Sequence, residues 1–413
     1  MPNGKNIHGM GSVMSVAKPI PLSVPVLRGN ELAYLRECVE TNWISYAGPF
    51  VPRFEQAMAT FVGTRFATAV NSGTAALHLA LLVSGVRPGD EVLVPSLTFI
   101  APVNAIRYCQ AHPVFMDVEP RFRQMDPEKV KDFLEKECST VDGRLVNRRS
   151  RRPVTALLPV HILGHPVEMD PILELARRFD LRVIEDATES LGATYHGRQT
   201  GSLGDIACFS FNGNKIITTG GGGMITTDRQ DWADRAKHLS TQAKSDAFEY
   251  FHDEVGYNYR LTNLQAAVGL AQMEYLPEYV RLKRSIADRY AQQLAGVGGL
   301  ALPLEASTAR STYWLYTVAI EAQRYGMDAR QAVARLRAEN IEARPLWGPA
   351  HQQAAFRECQ SYRIEVATRL FQECLSLPCS VCLTVEELGR VTETIRRGSA
   401  SNNQTRLMPT LRK

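Results

Sequence analysis

Four short segments carry residue types that could do chemistry together. In the first, Asn71-Ser72-Gly73-Thr74-Ala75-Ala76-Leu77 stands between an apolar run and a helical pattern. A Ser-Gly-Thr turn that opens a helix offers backbone N–H groups, two hydroxyls and the positive end of the helix dipole, which suits a phosphate. An ordinary N-cap with a tight turn would explain the same residues. The second segment is Val183-Ile184-Glu185-Asp186-Ala187-Thr188, which puts Asp186 at the carboxyl end of a strand. Open α/β sheets bind ligands at that edge. A carboxylate buried there needs a cation or a strong donor, and a protonated pyridine nitrogen would serve. The plainer role is a cap on the next helix. In the third, Ala207–Lys215, a strand delivers Ser210 and, five residues later, Lys215, followed by Gly220–Gly223. Glycines let the backbone approach a ligand closely. A lysine in apolar, Gly-rich surroundings can lose its proton and attack carbonyls; read alone it is a surface lysine near a loop. The fourth segment, Gly256-Tyr257-Asn258-Tyr259-Arg260-Leu261-Thr262-Asn263, leads into a helix.

Positioning these groups requires a scaffold, and the apolar pattern supplies one. Strands are expected at 66–70, 91–94, 113–118, 154–160, 181–185 and 206–211. Helices are expected at 74–83, 98–108, 167–179 and 262–275. Strands that alternate with helices imply an α/β fold, a mostly parallel sheet covered on both faces. After about residue 275 the texture changes to helices at 277–294, 328–339, 365–375 and 385–397, with short strands at 314–320 and 342–344. That pattern predicts a smaller C-terminal α+β domain. The expected division is a tail over 1–20, a large domain over 21–275, a small domain over 276–397 and a second tail over 398–413, both tails flexible. The basic run Arg144–Arg152 reads as a solvated loop or insertion.

Composition narrows the function classes. The chain has 413 residues, 45% hydrophobic and 22% charged, which is ordinary globular usage and excludes a disordered or fibrous chain. Its net charge of +4 comes from 47 Lys+Arg against 43 Asp+Glu, and implies no affinity for nucleic acid or membrane. The uncharged stretch 66–86 contains Asn71, Ser72, Gly73, Thr74 and His78, so it reads as strand, turn and helix rather than a membrane span. Eight cysteines are few. Cys379-Ser380-Val381-Cys382 is a lone CxxC with no second ligand pair at metal spacing, so no metal is expected. The expected setting is a reduced, cytoplasmic one. No GxGxxG follows a strand, which disfavours a nucleotide-dependent dehydrogenase.

Taken in order, a phosphate turn, an Asp at a strand end, Ser-x₄-Lys and N-x-R before a helix resemble the pyridoxal-phosphate enzymes of aspartate-aminotransferase fold type. Within them the chain is similar to the DegT/DnrJ/EryC1/StrS sugar aminotransferases. The likeness runs from about Pro21 to Arg396 and rests on NSGTAALHLAL, PGDEVLVPSLTF, EDATES, FSFNGNKIITTGGGGM, GYNYRLTNLQAA and RPLWGPAH. EDATES, FSFNGNK and STYWLY look most like the subset that aminates nucleotide-linked 4-keto-6-deoxy sugars toward bacillosamine- or legionaminic-type products. The resemblance implies pyridoxal 5'-phosphate as cofactor, Lys215 as its Schiff-base residue and proton carrier, and Asp186 beneath the pyridine nitrogen. Ser72, Gly73, Thr74 and Ser210 would hold the cofactor phosphate, and Phe99 would stack on the ring. Asn258 would reach the cofactor of a neighbouring subunit, which implies a homodimer with shared active sites. Arg344, Trp347 and His351 would lie near the sugar. The implied reaction moves an amino group from an amino acid, glutamate by expectation, to the 4-keto group of a nucleotide sugar. Amination at C3 and a non-catalytic protein on the same fold are the alternatives. A dehydratase on this fold is disfavoured, because such relatives carry His where Lys215 stands. Glu189 departs from the Gln or His of many relatives, and is placed near the cofactor without a defined role. Thr312, Tyr316 and the stretch 352–356 also depart, all on the sugar side.

Overall fold

The computed structural model describes residues 18–246 and 248–405. The N-terminal part lays down α1 (Glu31–Glu40) and α2 (Phe50–Val62), then β1 (Phe66–Val70), α3 (Gly73–Val83), β2 (Glu91–Pro95), α4 (Ala101–Tyr108) and β3 (His112–Met116). Helix α5 (Pro127–Lys136) and the hairpin β4 (Cys138–Val141) to β5 (Arg144–Asn147) follow. Next come β6 (Val154–Leu157), α6 (Met169–Phe179), β7 (Arg182–Asp186), the short pair β8 (Thr194–Tyr195) and β9 (Arg198–Gln199), then β10 (Ile206–Ser210), β11 (Gly223–Thr227), α7 (Gln230–Ser240) and α8 (Asn263–Leu294). The C-terminal part contains β12 (Leu300–Ala301), β13 (Ala309–Arg310), β14 (Tyr316–Ile320), α9 (Ala322–Tyr325), α10 (Ala329–Ala338), β15 (Arg344–Pro345), β16 (Ser361–Tyr362), α11 (Val366–Glu373), β17 (Cys374–Leu377) and α12 (Val385–Thr405).

Eight strands form the main sheet in the order β1-β11-β10-β7-β6-β2-β3-β16. Only β11 runs against its neighbours, β1 and β10; the remaining pairs are parallel. This is the α/β sheet the sequence implied. Its strands are buried on both faces, and the alternation of side chains shows it. Val92, Val94, Phe115, Ala156 and Ile184 join the core that contains α2, α3 and α8. Their neighbours Leu93, Val114, Met116, Leu157 and Val183 point the other way, into a core with Phe133 of α5 and Ile172 of α6. A second sheet, β12-β14-β17-β15, belongs to the C-terminal part.

Several expectations are corrected. Helix α8 is one 32-residue helix with Pro277 inside it, where two helices were expected. An interior proline removes one helical hydrogen bond at a cost of about 3 kcal/mol. Burial of Leu276, Tyr279 and Val280 around it offsets that cost. The helix expected over 365–375 stops at Glu373. Cys374–Leu377 is instead a strand, fully buried and paired on both edges. Part of the basic run 144–152 is the strand β5, because Leu145 is buried and the Asn147 amide donates to the buried Glu91 carboxylate at 2.7 Å. Of the expected N-terminal tail, Ile20 belongs to the fold: it is buried and its N–H donates to Asn340 O at 2.8 Å. Helix α12 continues to Thr405, past the expected boundary at 397. Residues 1–17 and 406–413 of the two tails lie outside the described residues.

Candidate active site

A cleft of about 720 Å³ opens at the carboxyl ends of the main-sheet strands. It is walled on the other side by β15 and by the segment before β14, which supplies Trp314 and Leu315. This is where an open α/β sheet binds ligands.

One end of the cleft is a cradle of small polar residues. Ser72 caps α3, its Oγ accepting the Ala75 N–H at 3.0 Å. Gly73 and Thr74 begin the helix, so their backbone N–H groups face the cleft at its positive end. Ser210, at the end of β10, comes so close that a Cβ on Gly73 would lie 2.8 Å from the serine Cβ and 3.3 Å from Thr188 Cγ2. A Cβ on Gly223 would lie 2.4 Å from Ser72 O. Glycine is therefore required at both positions for α3, β10 and β11 to meet. The resulting group of hydroxyls and N–H donors fits a phosphate.

Lys215 follows the cradle on the loop after β10. Its Nζ lies 3.8 Å from Glu189 Oε1 and 4.0 Å over the centre of the Trp314 ring. Burial pulls the lysine below its ordinary value, against the charges of Glu189 and Asp186. Asp186 ends β7 and is 2% exposed. Its Oδ1 accepts the Thr188 N–H at 3.1 Å, and burial raises its carboxyl above the usual range. Among the described residues, no side-chain cation lies at ion-pair distance from it. Glu189 accepts the Leu163 N–H at 2.8 Å, and burial pushes it up to about 7, with Lys215 acting the other way. The backbone turns sharply to present that N–H: Leu163 has a φ of 61°.

Behind these groups, Glu185 is wholly buried and accepts from His161 Nε2 at 2.9 Å and from the N–H groups of Gly201, Leu203 and Gly204. His161 Nδ1 accepts the Val167 N–H, so the proton shared with Glu185 sits on Nε2. Arg260 fastens the Gly256–Asn263 segment to β1, donating to Glu55 Oε1 at 2.6 Å and to Ala69 O at 2.7 Å.

The structure thus gathers Ser72, Gly73, Thr74, Phe99, Glu189, Ser210, Lys215, Arg344 and Trp347 around one cleft; Asp186 is buried outside that lining, close enough for its charge to act on Lys215. Phe99 meets Trp347 edge to face at 6.4 Å. Arg344 is paired with Glu342 at 2.8 Å. Two expected residues stand apart. His351 does not line the cleft; its Nδ1 shares a 2.6 Å hydrogen bond with Ser96 Oγ. Asn258 is exposed and outside the cleft of its own chain, accepting the Asn71 amide through its carbonyl. Thr312 and Tyr316 are buried away from the lining. Thr188 and Trp314 belong to the site and were not singled out by sequence reasoning. Position 188, two residues after Asp186, was the available signal for the first. Trp314 lay within the STYWLY stretch that carries the resemblance and was assigned to a strand, with no role at the site.

Residues 25–396 match the DegT/DnrJ/EryC1/StrS aminotransferase family. The chain is 42% identical to a GDP-perosamine synthase of Caulobacter vibrioides over 379 residues, covering 92% of this chain and 98% of that one. It is 41% identical to the pyridoxal phosphate-dependent aminotransferase EpsN of Bacillus subtilis, covering 92% and 95%. Among solved structures, DesV of S. venezuelae superposes with a TM-score of 0.80 at 30% identity, covering 92% of this chain and 99% of that one. With a match across nearly the whole chain and this geometry in its cleft, the protein belongs to the DegT/DnrJ/EryC1/StrS aminotransferase family.

Proposed function

We propose that this protein is a pyridoxal-phosphate-dependent aminotransferase acting on nucleotide sugars, moving an amino group from glutamate to the 4-keto group of a nucleotide-linked 4-keto-6-deoxyhexose. The observation that carries this reading is the convergence of three features on one cleft: the Ser72–Thr74/Ser210 cradle, the buried Asp186 and the nearly buried Lys215. The residues fit the cofactor. The cradle suits its phosphate, and no side-chain cation among the described residues pairs with the Asp186 carboxylate, a place that a protonated pyridine nitrogen would suit. Lys215 stands where an amine must meet the cofactor carbonyl, and Phe99 offers an exposed ring at the mouth. Pyridoxal phosphate, when bound, supplies an electron sink through which amino groups pass between amino acids and carbonyls. Asp186 maintains the positive charge that this sink needs. Lys215 holds and moves a proton next to the reacting carbon, a task worth about 10²–10⁴-fold in rate. Arg344 supplies a charge for a diphosphate at the mouth of the cleft, and Trp347 an apolar wall for the sugar.

Similarity to GDP-perosamine synthases, which are 4-aminotransferases, supports amination at C4 and a GDP-linked sugar as the first substrate to try. The exposed Asn258 supports a homodimer in which it completes the partner's site. So do the exposed side chains of Phe248, Tyr250 and Phe251 on the preceding loop. No helix among the described residues is long and apolar enough to cross a membrane. Free cysteines and a sugar-nucleotide substrate support a cytoplasmic enzyme.

The test runs the reaction in reverse. The loaded enzyme is incubated with 2-oxoglutarate and, in turn, GDP-, UDP- and dTDP-linked 4-amino and 3-amino sugars. Glutamate formation from a 4-amino sugar is expected, GDP-linked first. Turnover of 3-amino sugars alone would overturn the C4 assignment. No transfer from any of them by enzyme carrying its cofactor would overturn the reading.

A further inference from the structure

Trp314 reaches across the cleft to the lysine loop. Its side chain is almost fully buried, with its ring face under Lys215 Nζ at 4.0 Å. Its indole N–H donates to the carbonyl of Asn214, the residue before the lysine, at 2.8 Å. The tryptophan is itself gripped: its carbonyl accepts from the buried Lys283 Nζ at 2.9 Å and from Cys379 Sγ at 3.1 Å. The Trp347 ring lies parallel to it, 6.3 Å between centres and 9° between planes. A ring that only filled space would need neither a clamp on its backbone nor a hydrogen bond to the lysine loop. An ammonium over a desolvated indole face is stabilised relative to the neutral amine.

We infer that Trp314 is a positioning residue for Lys215: its face favours the protonated amine and its N–H fixes the loop that carries it. The protonation of the reacting group is thereby set from the C-terminal side of the cleft. Other groups facing Lys215 are Glu189, 3.8 Å away, and Asp186, both from the segment at the end of β7. Across the cleft stand Glu342 and Arg344, paired with each other. Trp314 therefore acts with two carboxylates that favour the same charged state.

This inference rests on Lys215 being the reactive amine, and the experiment separates the two. Protein stripped of cofactor is mixed with pyridoxal phosphate, and the rate of Schiff-base formation is followed by absorbance from pH 6 to pH 10. The rate rises as the amine loses its proton, so its midpoint reads the lysine. Trp314→Leu should lower that midpoint by about one pH unit, because the cation loses its face. Trp314→Phe keeps a ring face but lacks the N–H; its midpoint should stay near that of the unmodified protein, with a slower plateau. Should Trp314→Leu fail to fold, a fluorinated tryptophan placed at 314 keeps the shape and weakens the face. The midpoint should then fall stepwise with each fluorine. Unchanged midpoints in folded variants would overturn the role of Trp314. Undiminished Schiff-base formation in Lys215→Arg would instead overturn the premise.

Discussion

A carboxyl and an amine buried side by side must either pair or give up charge. Glu189 and Lys215 are such a pair, and pH should expose it. The Glu189 carboxyl is raised to about 7 in the folded protein, against about 4.5 when unfolded. A raised carboxyl stabilises the fold fully below its unfolded value, and that contribution is lost as pH climbs through the folded value. The loss is on the order of 3 kcal/mol between pH 4.5 and 7. Cofactor-free protein should therefore lose thermal stability relative to Glu189→Gln across that window, and a pH-independent gap would show that the carboxyl is not perturbed. Asp186 calls for a kinetic test. Asp186→Asn removes the charge proposed to face the pyridine nitrogen and should lower kcat by about 10²-fold or more, while circular dichroism stays unchanged. Lys215 and Asp186 were legible in the sequence through the order of the motifs and the family resemblance they carry; read alone, one was a surface lysine and the other a helix cap. The role of Trp314 was not legible, because its contact with Lys215 spans 99 positions and depends on how two sheets face each other.

At the level of elements, the site depends on close backbone approach between α3, β10 and β11. Gly73→Ala would place a methyl 2.8 Å from the Ser210 Cβ. It should weaken pyridoxal phosphate binding at least tenfold in an equilibrium titration, as α3 and β10 are forced apart at the cradle, while circular dichroism still reports the folded chain. Gly223→Ala would drive a methyl against the Ser72 carbonyl at 2.4 Å, destabilising the protein by roughly 1–3 kcal/mol in denaturant unfolding. The central parallel strands were legible because they are buried on both faces and read as continuous apolar runs. Strand β11 was not, since it opens on Gly223 and its Met-Ile-Thr-Thr has no alternation. The end of β14 nearest the cleft was misjudged for a functional reason. Trp314 and Leu315, expected in the strand, leave the ladder and line the cavity. The proline inside α8 concealed a helix whose continuity is set by packing rather than propensity.

On the scale of the whole molecule, the expected site residues line the cleft of one chain except for Asp186, which is buried near Lys215, and for His351 and Asn258. His351 is used to hold Ser96. Asn258 faces outward, beside a loop whose Phe248 is 89% exposed. If Asn258 completes a partner's site, two inactive variants should rescue each other. Mixed dimers of Lys215→Ala and Asn258→Ala chains keep one site with an intact lysine and an intact partner asparagine. Activity should reappear on mixing after brief dissociation, and no recovery would place Asn258 in its own chain's service. The sequence offered this asymmetry only through family likeness, since a single chain's pattern says nothing of its neighbours. The central claim is that Lys215 is the amine to which the cofactor is joined. Borohydride reduction of the loaded enzyme, followed by peptide mass mapping, tests it most directly. The account predicts one reduced pyridoxyl group, on Lys215, lost when the enzyme is first saturated with glutamate. A label on another lysine, or none on protein that has taken up the cofactor, would contradict it.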